Sequence, residues 1–171
     1  MNENPTVSGR AVEAARAAFL RDDNYYGCAE STLVALQSIF SLPNPEDSSA
    51  AMALNGGIAY SGGMCGAISG AALALGKLAE LRINDHRLAK KAARLLTQQL
   101  IADFKTEFSS ANCRDLIPYD ISIPSEHDAF ISGNLWRTTC MRQIEFSVKK
   151  LASLADERAW EQRLATLPEL A

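Results

Sequence analysis

The sequence predicts an all-α fold in a single domain, and three features carry that reading. Ala is abundant and β-branched residues are thinly spread; Ala loses no side-chain entropy in a helix, so this composition favours helices. Apolar residues recur at i, i+3, i+4 and i+7 through most of the chain, the period of a helix with one buried face. No alternating strand pattern of any length occurs. With 171 residues, 47% of them apolar, the chain is long enough to close one core. A bundle of five to seven helices over residues 1–171 is expected.

Ser8 to Leu20 carries Ala11, Ala14, Ala15, Ala18 and Phe19 at helical spacing, and Asp22-Asp23-Asn24 ends it. Cys28 to Phe40 follows, with Leu33, Leu36, Ile39 and Phe40 on one side and Pro43 and Pro45 beyond it; Pro cannot continue a helix. A third helix is predicted from Glu46-Asp47 to about Asn55, weakened by Gly56-Gly57. Gly62-Gly63 makes a turn into a fourth helix, Cys65 to about Leu81. Asn84 or Asp85 caps a long helix to about Phe108, with Leu88, Ala92, Leu95, Leu96, Leu100 and Phe104 inward and Lys90, Lys91, Arg94 and Gln98 outward. Ser109 to Ser125 reads as a loop holding one helical turn at Asn112–Leu116, capped by Ser110 or Asn112. A helix is predicted from about Asn134 to Leu154, and a looser one from Glu157 to Leu167.

The net charge is −3, the pI is about 5.4, and no dense basic patch occurs. A nucleic-acid partner is therefore not expected. The first residues lack the basic-then-apolar pattern of a signal peptide, and no 18-residue apolar run occurs. A cytoplasmic location without membrane insertion is the expectation.

Chemistry concentrates on four thiols, Cys28, Cys65, Cys113 and Cys140. Structural disulfides are rare in a reducing compartment, so these are buried apolar groups, metal ligands or redox groups. Cys65 stands at the predicted start of a helix, after Gly62-Gly63. The first amides of a helix have no intrahelical partner and carry partial positive charge. Both effects favour a thiolate and predict a lowered pKa. Cys28, after Gly27, repeats the arrangement. Gly66, Gly70 and Ala74 recur every four residues and offer a face on which a second helix, the one headed by Cys28, can pack closely. Arg114 stands next to Cys113. Cys140, with Leu135 and Trp136 a turn earlier, reads from its surroundings as a core residue inside a helix. Glu30 reads as a first-turn acid, Tyr25 and Tyr26 as packing or rim residues, and His86 as a surface residue. The gaps between cysteines contain no C-x-x-C, zinc-ribbon or ferredoxin spacing.

The string Cys65-Gly66-Ala67-Ile68-Ser69-Gly70, with Cys28-Ala29 upstream, Phe104–Leu116 around Cys113, and Thr139-Cys140, resembles the C_GCAxxG_C_C family, four-cysteine proteins labelled as redox-active. The family label writes the central motif GCAxxG, where this chain reads Cys-Gly-Ala. The resemblance covers about residues 18–154 and leaves a C-terminal helical extension at 155–171. It implies that Cys28, Cys65, Cys113 and Cys140 form the site, with Gly66, Ala67 and Gly70 as motif neighbours, and it brings Cys140 into that set. It also implies a link to transport systems, beside whose genes members often lie.

Three readings stay open. In the first, the protein is a thiol–disulfide oxidoreductase serving a redox partner or a small-molecule thiol, with Cys28 and Cys65 as the activated pair. In the second, the four cysteines hold zinc or an iron–sulfur cluster. In the third, the protein is a non-enzymatic helical accessory module, a homo-oligomer with inert cysteines.

Overall fold

The structure, a computed structural model, describes residues 6–167; residues 1–5 and 168–171 of the expected domain lie outside them. Several helices begin where a side chain accepts from an amide at the helix start. The Thr6 hydroxyl accepts from Gly9 N (3.1 Å) and starts α1, Val7–Phe19. Glu30 reaches back to Gly27 N (2.9 Å) at the start of α2, Cys28–Ile39, the ordinary role of a first-turn acid. α3 is Gly66–Arg82. The Asp85 carboxylate accepts from Leu88 N (2.9 Å) and starts α4, His86–Phe108. α5 is the single turn Cys113–Leu116. α6, Pro124–Ser132, has Pro124 in its first turn, where the missing N–H costs nothing. α7 is Thr139–Ala152, and Asp156 caps α8, Glu157–Ala165.

α2 is the central helix. Every residue from Ala29 to Gln37 is buried, because α1, α3 and α7 pack around it, with α4 outside α3. The core runs through Ala15, Leu33, Leu36, Ile68, Leu75, Leu78, Phe104, Ile144 and Val148. Among the described residues there is no strand, and one isolated antiparallel bridge joins Met64 to Asn112. The all-α, single-domain expectation is met. Among the described residues no helix is long and apolar enough to cross a membrane.

Three expectations change. The third predicted helix is a 3₁₀ run, Ser49–Leu54, the form short segments take. The predicted helix from Asn134 is broken: Asn134 has φ +56°, Leu135–Arg137 is a 3₁₀ turn, and α7 starts only at Thr139. Cys140 therefore sits in a first turn, not inside a helix. α6 falls in a stretch to which the sequence reading gave no helix.

After the 3₁₀ run, Gly56, Gly57, Ile58, Ala59 and Tyr60 all have positive φ, between +50° and +73°. A left-handed turn of this kind costs about 1–2 kcal/mol at each non-glycine residue. Backbone bonds from Ala59 N to Ala53 O (2.8 Å), Gly62 N to Gly56 O (3.1 Å) and Gly63 N to Gly57 O (3.0 Å) hold it in place.

Candidate thiol site

All four cysteines stand at helix N-termini. Cys28 is the first residue of α2, Cys65 the N-cap of α3, Cys113 the first residue of α5, and Cys140 the second residue of α7. The sequence pointed to this for Cys28 and Cys65; the shortened α7 adds Cys140, and the predicted turn at Asn112–Leu116 forms as α5 with Cys113 at its head.

Two backbone contacts bring the four starts together. The first is the crossing of α2 over α3. A side chain on Gly66 would stand 2.2 Å from Cys28 Sγ, and one on Gly70 would stand 2.2 Å from Ala29 O. The Cys28 sulfur therefore lies against the residue that follows Cys65. The second is a short antiparallel pairing of 62–65 with 111–114. Cys65 N donates to Ala111 O (2.8 Å), and Cys113 N donates to Gly63 O (2.7 Å). Cys140 joins through α7. One turn on, Gln143 Oε1 accepts from the Cys65 thiol (3.5 Å). Trp136, just before α7, packs edge-on against Phe19, and Arg137 donates to Leu20 O (3.3 Å) and Asp22 (2.9 Å).

The start of α2 is fixed by Asn55. Its Oδ1 accepts from Ala29 N (2.9 Å), and its Nδ2 donates to Glu30 Oε2 (2.9 Å) and Met52 O (3.1 Å). The Ser48 hydroxyl donates to Glu30 Oε1 (3.1 Å). Asn55→Ala leaves the Ala29 amide and the Glu30 carboxylate short of partners. It is expected to lower stability by about 1–3 kcal/mol, read as a shift of the urea midpoint at unchanged m-value. A midpoint equal to wild type would show that this network contributes nothing.

The thiols are free, with Cys65 and Cys113 buried and Cys28 and Cys140 half-buried. Their acidity corrects the expectation from helix-end physics. Burial pushes Cys28 up, and holds Cys65 and Cys140 well above the ordinary thiol range. Cys113 is pushed up to about 12, again chiefly by burial. Desolvation of the charged form outweighs the helix-end amides. Those amides still act. The N–H groups of Gly56, Ala29, Gly66 and Cys28 itself favour the Cys28 thiolate, and those of Ala67 and Ile68 favour that of Cys65. A charge on Cys28 in turn raises Cys65, Cys113 and Cys140. Cys28 thus faces four stabilising amides and influences each of the other three sulfurs. Arg114 does not serve Cys113; its guanidinium donates to Ser61 O (3.1 Å).

A cavity of about 370 Å³ opens onto Cys28, Cys113 and Cys140. Asn55, Gly56, Tyr60, His127 and Trp136 line it, and none was singled out as a site residue from the sequence; Tyr25 and Tyr26, read as rim residues, line it too. Only the spacing of Gly56-Gly57 before Gly62-Gly63 hinted at the loop. His86 lies elsewhere, exposed and paired with Glu80 (3.0 Å). Among the described residues no group of three or more His, Cys, Asp or Glu side chains is arranged to hold a metal ion.

Residues 26–154, three quarters of the chain, match the family described as "Putative redox-active protein (C_GCAxxG_C_C)". The chain belongs to the C_GCAxxG_C_C family. Searches of curated proteins and of solved structures return no match. The family match spans all four cysteines and ends at the last residue before the C-terminal extension.

Proposed function

We propose that this family member is a thiol-based redox protein in which a pair of these cysteines cycles between dithiol and disulfide, with Cys28 as the attacking sulfur. The observation that carries the reading is the convergence on Cys28 of four helix N-termini, each bearing a cysteine, from segments far apart in sequence. Inert core thiols have no need of four helix ends. Cys28 lines the cavity, is half-buried, and faces four backbone amides that lower the cost of its thiolate. In a disulfide exchange the Cys28 thiolate attacks a substrate sulfur, the substrate's other sulfur leaves as a thiolate, and a second cysteine of the cluster attacks Cys28 Sγ, forming the protein disulfide and expelling the bound substrate sulfur as a thiolate. Two electrons pass from the protein pair to the substrate.

Thiol counting tests this. Fully reduced protein is expected to show four titratable thiols in denaturant. After ferricyanide treatment of the folded protein the count is expected to fall by two or four, and mapping is expected to place Cys28 in a disulfide. Cys28→Ser is expected to slow the oxidation at least tenfold. Four thiols that persist under oxidant would overturn the reading. So would stoichiometric zinc or a visible absorption band in protein purified without oxygen.

A further inference from the structure

The cavity in front of the thiols has a lining that selects its contents. Six of the chain's twelve Phe, Trp and Tyr residues stand around it: Phe19, Tyr25, Tyr26, Tyr60, Phe130 and Trp136. Five of the six pack ring against ring here. Phe19 meets Trp136 edge-on at 5.3 Å between centroids, Tyr25 meets Tyr26 edge-on at 4.7 Å, and Tyr60 meets the His127 ring at 4.8 Å. Paired rings make stiff apolar walls suited to stacking, and the volume falls within the range of small-molecule pockets. Ile117, Ile121 and Ile131 complete the apolar surface.

Charge narrows the choice. No Lys or Arg lines the cavity, so an anion inside it would lose its hydration with no permanent cation among the lining residues to replace it. Glu30 is its one carboxylate-side-chain member, and Gly27 N, Asn55 and Ser48 already occupy both oxygens. The outer walls carry guanidinium groups, Arg21 against Tyr25 (5.0 Å) and Arg137 against Trp136 (4.5 Å), which use the aromatic faces that a cationic ligand would seek. The hydroxyls of Tyr25, Tyr26 and Tyr60 make no hydrogen bond to protein among the described residues and are free to donate to an acceptor oxygen.

We infer that the cavity takes an uncharged, flat, conjugated carbonyl compound of the quinone class and presents it to Cys28, Cys113 and Cys140. This rests on the redox reading above. The step balances without a further reactant. Two S–H bonds break, one S–S bond forms between two cavity cysteines, and two electrons and two protons pass to the two carbonyl oxygens, which gives the hydroquinone.

Two probes separate binding from electron transfer. 9-Fluorenone, flat, neutral and inert toward thiols, is expected to bind the full chain saturably, one to one, by calorimetry. Its 4-carboxylate is expected to bind at least tenfold more weakly, and Tyr60→Ala to weaken fluorenone at least threefold, with Leu88→Ala, on the exposed face of α4, unchanged. Tetramethyl-1,4-benzoquinone, whose ring has no free position for a thiol to add to, is expected to remove two thiols for each hydroquinone formed. Absence of fluorenone binding, or equal binding of the carboxylate, overturns the inference while ferricyanide oxidation still upholds the redox reading. Fluorenone binding with thiols that neither oxidant touches overturns the redox reading and the electron transfer with it.

Discussion

Gly70→Ala is expected to destabilise the protein by about 3 kcal/mol or more. The new Cβ would lie 2.2 Å from Ala29 O, 3.0 Å from Ala29 C and 3.1 Å from Ala29 Cα. All three are backbone atoms of a helix buried on every side, so no side chain can swing away. α2 would have to lift off α3, and the lift would carry Cys28 away from Gly66. The matched control is Gly76→Ala in the same helix, where nothing lies within 4 Å of the added Cβ. That change is expected to stabilise by about 0.5–1 kcal/mol, because Ala loses less backbone freedom on folding than Gly. Urea denaturation of the two variants checks both signs at once. A Gly70→Ala protein as stable as wild type would mean that the helices do not cross at Ala29.

The second large effect is a loss of stability of the reduced protein in alkali. A thiol whose native pKa lies above its unfolded value binds more protons folded than unfolded, so the unfolding free energy falls as pH rises. The contribution is complete below the unfolded value of about 8.5. It declines through the native value, which for Cys113 is about 12. Within that window each such thiol contributes a slope of up to about 1.4 kcal/mol per pH unit. Cys28, Cys65 and Cys140 are raised in the same direction. Urea midpoints measured from pH 7.5 to pH 10.5 are therefore expected to fall steeply for the reduced wild type and less steeply for Cys113→Ala. Tyr26 shifts the same way, but it is common to both proteins and cancels in the difference. Parallel pH profiles would show that Cys113 does not keep its proton in the folded state.

Much of this architecture is legible in the sequence because it depends on local signals. Asp85 caps α4 and Glu30 serves as the first-turn acid of α2, as read, and the inward stripe of α4 buries at Ala92, Leu96, Leu100 and Phe104, whereas Leu88, also read as inward, lies exposed before the helix meets its neighbours. The small face of α3 is visible as Gly66, Gly70 and Ala74 at four-residue intervals, and α2 fills it. What escaped depends on tertiary context. Asn134 in a left-handed conformation delays α7 and moves Cys140 to a helix start, and Asn in a polar turn gives no warning of that. Helix-end position was legible for Cys28 and Cys65, but acidity was not. Acidity is a balance between amides near the sulfur and the water removed from it, and burial is a property of the whole packing. Asn55 reaches the Ala29 amide across 26 residues, Gln143 reaches the Cys65 thiol across 78, and Tyr60 lines the cavity from a left-handed turn; no spacing pattern operates over such separations.

The assembly of one thiol cluster from four helix starts also constrains how the chain is made. Residues 28, 65, 113 and 140 meet only once α7 has docked on α1 and α2. Until then four sulfurs travel on an open chain that permits three ways of joining them in two pairs. On the disulfide reading proposed above, folding has to precede oxidation, and the newborn chain needs a reducing bath until its last third is in place. Protein recovered from an oxidising preparation would be a mixture of covalent isomers, and reduction before folding would be the condition for recovering a single species.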